Sequence, residues 1–178
     1  MGSLLLALTS SWSLAASVSS LNPSDLREYA YQPPRVKKAI ASGLSLTKRN
    51  LRYSFGSNNP RSGGLDCSGT MQAIFGAQGL SVPRQANMQY SWVQKAGNLK
   101  RVSGVHSVKD RRLSGIKPGD LLFWEGTYNV GNRYPRTSHV MMFLGHRKSD
   151  GKPVMIGASN GRGYDGRSRY GVLSLIHI

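Results

Sequence analysis

Cysteine occurs once in this chain of 178 residues, at Cys67, and that single thiol limits how the chain can hold itself together. One cysteine cannot close an internal disulfide, nor build a zinc site from several thiolates. A buried apolar core must therefore carry the fold, and the length suits one domain with room for such a core. Apolar residues make up 39% of the chain and charged residues 18%. That balance is globular rather than disordered. No apolar run reaches the ~20 residues a membrane-crossing helix needs, so no transmembrane segment is expected. The pattern calls for no metal and no cofactor.

Met1 to about Ser20 reads as a secretory signal peptide. Leu4 to Leu14 form its apolar centre, and Ala15 and Ser17 stand at small-x-small cleavage spacing. No positive charge opens it, which is read as a start displaced from the native one. This places the protein in the cell envelope, secreted or periplasmic. Residues 21 to 35 end in Pro33-Pro34 and read as a linker or extended lead-in. Val36, Ile40 and Leu44 recur at helical spacing, so Val36 to Leu46 is an amphipathic helix. Tyr53 to Gly64 is rich in turn formers and reads as a loop. Asp66 then caps a second helix, Cys67 to about Ala77, and a third covers Ala86 to Ala96. The second half carries short apolar runs bounded by Gly, Pro and Asp: Asp120 to Trp124, His139 to Leu144, and Val154 to Ala158. These read as strands, with a hairpin turn at Ser149-Asp150-Gly151. Helices first and antiparallel strands afterwards indicate an α+β domain.

Lys and Arg number 24 against 8 Asp and Glu, a formal charge of 24 − 8 = +16. Such a surface attracts anions: nucleic acid, anionic lipid or an acidic wall polymer. The charges fall in short clusters, among them Lys48/Arg49/Arg52 and Lys109/Arg111/Arg112, without a recognisable nucleic-acid-binding module. No specific nucleic-acid partner is expected, and a generally solvated basic surface stays as an alternative to a specific anion.

A cysteine in the first turn of a helix has its thiolate stabilised by unpaired N–H groups and the helix dipole. The same N–H groups can hold a developing oxyanion. A base is still required, and His139, read as the first residue of a core strand, is held rigidly enough to serve. Of the other histidines, His106 falls in a polar loop, His146 begins the hairpin turn, and His177 belongs to the C-terminal tail. Taken alone, a cysteine at a helix start is more often buried structure than nucleophile; its place after a Gly-rich loop, with a strand-initial histidine downstream, brings the two readings level.

Asp66-Cys67-Ser68-Gly69 resembles the signature of the NlpC family of cell-wall cysteine peptidases. The likeness extends to Tyr53-Ser54-Phe55-Gly56 before the nucleophile and Val82-Pro83-Arg84 after its helix. It continues through Lys117-Pro118-Gly119-Asp120-Leu121 and Ser138-His139-Val140, covering about Val36 to Ser159. The resemblance implies a papain-like fold, N-terminal helices packed on an antiparallel sheet, over residues 36 to 172. It implies Cys67 as nucleophile and His139 as general base in hydrolysis of peptidoglycan stem peptides. Tyr53, Asp66, Ser68 and Arg84 match substrate-contacting positions, although Asp66 is equally an N-cap and Tyr53 equally loop packing. A monomer is expected, with anionic wall polymer as a further partner. Residues 173 to 178 read as a tail, where the family usually continues and this chain looks cut short.

One position departs from the family pattern. The third polar residue, usually His, that orients the base is replaced by Gly157 within Ile156-Gly157-Ala158-Ser159-Asn160. Three substitutes are open: Ser159 on the same strand face, Asn160 if a bulge turns it inward, or a backbone carbonyl or water. An amide oxygen orients imidazole well in papain-like enzymes, which favours Asn160 over Ser159. Loss of the orienter also leaves an alternative function, a catalytically impaired domain that binds cell wall or another polyanion. A toxin secreted against competing bacteria would use the same chemistry as the peptidase.

Overall fold

The computed structural model describes residues 21–105, 110–164 and 167–176. The proposed signal peptide, His106 and His177 lie outside them. Helix α1 runs over Pro34–Thr47. Pro34 occupies its first turn, where the missing N–H is no loss and the fixed φ is already helical. The Pro-Pro pair thus opens the helix instead of closing the lead-in. α1 buries Ala39, Ile40, Gly43 and Leu44, the i, i+4 spacing of one face. A Cβ on Gly43 would stand 3.0 Å from Ile156 Cδ1 and 3.2 Å from Ile74 Cδ1, so the bare backbone lets these layers close.

Strands β1 (Arg52–Tyr53) and β2 (Gly64–Leu65) form a short parallel pair inside the stretch read as loop. Helices α2 (Cys67–Gly76) and α3 (Ala86–Lys95) follow. Then come β3 (Leu121–Glu125), β4 (Thr137–His146), β5 (Pro153–Tyr164) and β6 (Arg167–Ile176). They pair antiparallel in the order β3-β4-β5-β6. The turn between β4 and β5 lies at the expected place, with Gly151 at φ +71°. β6 is the strand that periodicity misses. Its first half, Arg167-Ser168-Arg169-Tyr170-Gly171, has no apolar alternation to register. Residues 173–176, expected as a tail, continue it, with Leu173 paired to Gly157 and Ile176 to Val154.

Both faces of β4 are buried, which is why its sequence is a nearly continuous apolar run. Val140, Met142 and Leu144 join Val154, Ile156 and Ala158 of β5 against Ile40, Leu44, Met71 and Ile74 of the helices. Each such fully buried side chain contributes about 2 kcal/mol. The alternate residues Met141 and Met155 pack with Leu122, Trp124 and Leu173 in a separate cluster.

Residues 21–33, within the stretch read as a linker or extended lead-in, are docked on the domain. Leu21 and Leu26 join the main core. The Arg27 N–H donates to His146 O, and the Lys148 N–H to Asp25 O, both at 2.8 Å. Glu28 accepts from the His146 N–H at 2.8 Å and lies 2.6 Å from its Nδ1. Burial raises the Glu28 pKa, but these hydrogen bonds and the attraction of the imidazole outweigh it and hold the carboxyl below its ordinary 4.5. No described helix is long and apolar enough to cross a membrane.

A carboxyl with a lowered folded-state pKa contributes stability above its unfolded pKa and loses it as pH falls through the lowered value. Wild type is expected to lose stability in acid below pH 4.5. Glu28→Gln should flatten that acid limb and lower stability at neutral pH by about 1 kcal/mol. Thermal melts recorded across the acid range measure both effects.

Candidate active site

Cys67 is the first residue of α2 and 7% exposed. The cap that starts its helix is Asp66, whose Oδ1 accepts from the Gly69 N–H at 2.7 Å. The same carboxylate does much more. Its Oδ2 accepts from the Gly56 N–H at 2.9 Å. Arg84 grips both oxygens, Nη1 to Oδ1 at 3.0 Å and Nη2 to Oδ2 at 2.6 Å. Arg84 Nη1 also donates to Ser68 Oγ at 3.0 Å, and Ser68 Oγ donates to Asp66 Oδ1 at 3.3 Å. With side-chain exposures of 8% for Asp66 and 31% for Arg84, the pair is largely withdrawn from water. Bidentate geometry of this kind is what makes a buried ion pair tolerable. Asp66, Ser68 and Arg84 are thus brought together and satisfy one another. Tyr53 sits on β1, half-buried against the main core.

The Gly-rich loop lies across the first turn of α2. A Cβ on Gly69 would stand 2.1 Å from Ser57 O and 2.9 Å from Asn58 Cα, so only glycine fits there. The Asp66 N–H donates to Ser57 O at 3.1 Å. A residue not singled out in the sequence supports the other flank. Gln89 of α3 is fully buried, and its Nε2 donates to Ser68 O at 3.1 Å and Pro83 O at 2.8 Å. It ties the turn carrying Arg84 to the cysteine helix. The one available signal was that the buried face of α3 carries Asn87 and Gln89, polar side chains that need partners.

α2 packs against β4 and β5, which sets the helix that begins with Cys67 on the strand that carries His139. His139 is the third residue of β4, not its first, and is 3% exposed. It pairs with Trp124 of β3, their ring centroids 5.7 Å apart. The register shifts between Trp124 and Glu125, whose partners are His139 and Thr137. Ser138, skipped by that shift, accepts from the Thr127 N–H at 2.9 Å and from its hydroxyl at 2.7 Å. This anchors the β3–β4 loop directly beside His139.

Gly157 leaves no room for an orienting side chain of its own. A Cβ there would begin 2.8 Å from Met141 Cγ and 2.9 Å from Met141 Cε, so the neighbouring strand fills that space. Asn160 keeps regular pairing with Tyr170 and is exposed. The expected bulge falls one residue later, at Gly161 with φ +97°, too late to turn Asn160 inward. Ser159 is fully buried. The paired register of β4 and β5 begins at Met142–Ile156; Met141 lies beside Gly157, and Ser159 falls on the same face of β5 as Gly157. Among the described residues the Ser159 hydroxyl has no hydrogen-bond partner, and no three His, Cys, Asp or Glu are grouped to hold a metal ion.

A cysteine-headed helix packed on an antiparallel sheet that carries a buried histidine is the layout of papain-like α+β hydrolases. The model of the NlpC/P60 family matches residues 50–170, and the chain belongs to that family. Over 94 residues it is 32% identical to the gamma-DL-glutamyl hydrolase of Bacillus subtilis (strain 168), covering 52% of this chain and 18% of that protein. It is 31% identical over 94 residues to the bifunctional muramidase/DL-endopeptidase CwlT of the same organism, covering 53% and 22%. The chain spans about a fifth of the length of these curated relatives. Among solved structures, a Staphylococcus aureus protein of the NLP/P60 family, described as similar to a lipoprotein, aligns with TM-score 0.48 and 24% identity. That alignment covers 83% of this chain and 43% of the other. The peptidoglycan hydrolase RipB of Mycobacterium tuberculosis aligns with TM-score 0.39 and 21% identity, over 84% and 71%.

Gly69→Ala should force the Ser57–Asn58 backbone off the helix and destabilise the protein by about 2–3 kcal/mol. Urea unfolding measures this, and an unchanged midpoint would show that the loop does not rest on α2.

Proposed function

We propose that the chain is a cysteine peptidase that hydrolyses amide bonds in peptidoglycan stem peptides. The observation that carries this reading is Cys67 at the start of α2 beneath a fully engaged Asp66 cap. In this reading His139 takes the Cys67 proton, and the thiolate attacks the amide carbonyl. The tetrahedral oxyanion is held by N–H groups at the start of α2. His139 then gives the proton to the departing amine, leaving a thioester that water hydrolyses with His139 again as base. Ser159 is preferred to Asn160 as the positioning residue for His139, because it is buried with a hydroxyl that has no partner among the described residues and can turn to the imidazole, while Asn160 is exposed.

Asp66, Ser68 and Arg84 act as one preorganised wall of the substrate site, with Tyr53 beside it. The names of the B. subtilis relatives, a gamma-DL-glutamyl hydrolase and a DL-endopeptidase, support a bond next to D-glutamate as the target. The setting is the cell envelope, and the charge of +16 serves to hold anionic wall polymer. The protein acts as a monomer. A second reading, a wall-binding domain without activity, is favoured by one observation. Gly157 offers no side chain to orient a base, and Met141 occupies the space.

Purified peptidoglycan distinguishes the two. Wild type should release new amino groups, and Cys67→Ala should lower that rate by about 10⁴-fold or more. Ser159→Ala should lower kcat about tenfold with little change in KM, as loss of a positioning contact does. If wild type and Cys67→Ala bind wall equally and neither releases amino groups, the binding-domain reading replaces the peptidase.

A further inference from the structure

The chemistry above makes no use of the exposed aromatic rings that stand on the two loops flanking the site. Phe55 is 74% exposed, although its backbone is pinned. Its neighbour Gly56 is held by Asp66, and Ser57 O lies over the first turn of α2. Tyr128 stands on the β3–β4 loop next to Thr127, which Ser138 anchors beside His139. The two rings meet edge to face, centroids 6.2 Å apart and planes at 89°. They therefore join the loop fixed on the cysteine helix to the loop fixed beside the histidine. The Arg133 guanidinium lies 6.0 Å from the Tyr128 ring centroid, with Nη1 3.5 Å from the phenol oxygen.

Exposed rings gain little from burial in the free protein, and two that touch form a contiguous apolar patch of the kind that marks a contact surface. An exposed aromatic face beside a ring that carries a guanidinium suits a ligand with a flat C–H face and hydroxyl or carbonyl groups around its rim. In peptidoglycan that description fits the pyranose rings of the glycan. The stem peptides are built of small and charged residues and have no face of that size.

We propose that Phe55 and Tyr128, meeting edge to face between the cysteine loop and the histidine loop with Arg133 over the Tyr128 ring, form a binding surface for an N-acetylated amino sugar. The sugar belongs to the glycan strand that carries the stem peptide. This rests on the peptidoglycan reading above and adds that the polymer is held by its sugar as well as its peptide. The rings then set the distance between the glycan and the bond presented to Cys67.

Titrating the Cys67→Ala protein with a soluble N-acetylglucosamine tetrasaccharide, followed by NMR chemical shifts, tests this without turnover. Binding is expected, and Phe55→Leu and Tyr128→Leu should each weaken it by about fivefold or more, while Phe55→Trp retains it. Absence of sugar binding in the Cys67→Ala protein overturns the proposal. So does equal binding by the ring-deleted variants, or binding of a single-stranded oligonucleotide in place of the sugar. Melting curves of each variant separate a lost contact from a loosened loop: a Phe55→Trp protein that melts like wild type yet binds no sugar also overturns it. Because the readout is binding, a protein that holds the sugar but cuts no stem peptide would sink the peptidase reading and leave this one standing.

Discussion

The Asp66 carboxylate is the point on which the cysteine end of the molecule depends. It caps α2 through the Gly69 N–H, pins the Gly-rich loop through the Gly56 N–H, and grips Arg84 at both oxygens. Three separate segments, one 10 residues before Asp66 and one 18 after it, converge on one charge. A buried carboxylate is costly unless its acceptors are filled, and here five donors fill them. Cys67 follows immediately, so its place at the helix start is set by the same interaction. Gln89 holds the Pro83–Arg84 turn from behind, which keeps the guanidinium in register with the carboxylate.

The histidine side is built differently, by packing on a strand buried on both faces. One face of β4 meets the helices through Val140, Met142 and Leu144, and the other carries Met141. Gly157 has no side chain, and Met141 stands where one would begin. A polar orienter would need the volume that the thioether now fills. What remains on that face of β5 is the buried hydroxyl of Ser159, without a hydrogen-bond partner among the described residues. Membership of the NlpC/P60 family sets the chemistry to be tested, and this local exchange is where the chain departs from it.

Much of the framework was legible without coordinates. The 3.6-residue spacing of Val36, Ile40 and Leu44 marks α1, and the bounded apolar runs mark β3, β4 and β5. The Asp66 cap and the helix opening at Cys67 follow from local chemistry alone. β6 escaped because its first half has no alternation, and its partner β5 supplies the order that its own sequence lacks. The lead-in escaped for a related reason. Its proline and polar composition reads as linker or lead-in, while two of its leucines join the main core and Glu28 finds its partner 118 residues away.

The setting of Cys67 was readable from the chain alone, because a capped helix start is a local event governed by neighbouring residues. So was the α+β layout, because periodicity is local too. Only the tertiary structure decided what surrounds the histidine. A bulge one residue later than expected left Asn160 outside and Ser159 within, and a strand register brought Met141 against Gly157. Register depends on pairings between distant segments, and shifting it by one residue exchanges the faces of a strand. No local pattern in the chain encodes that choice.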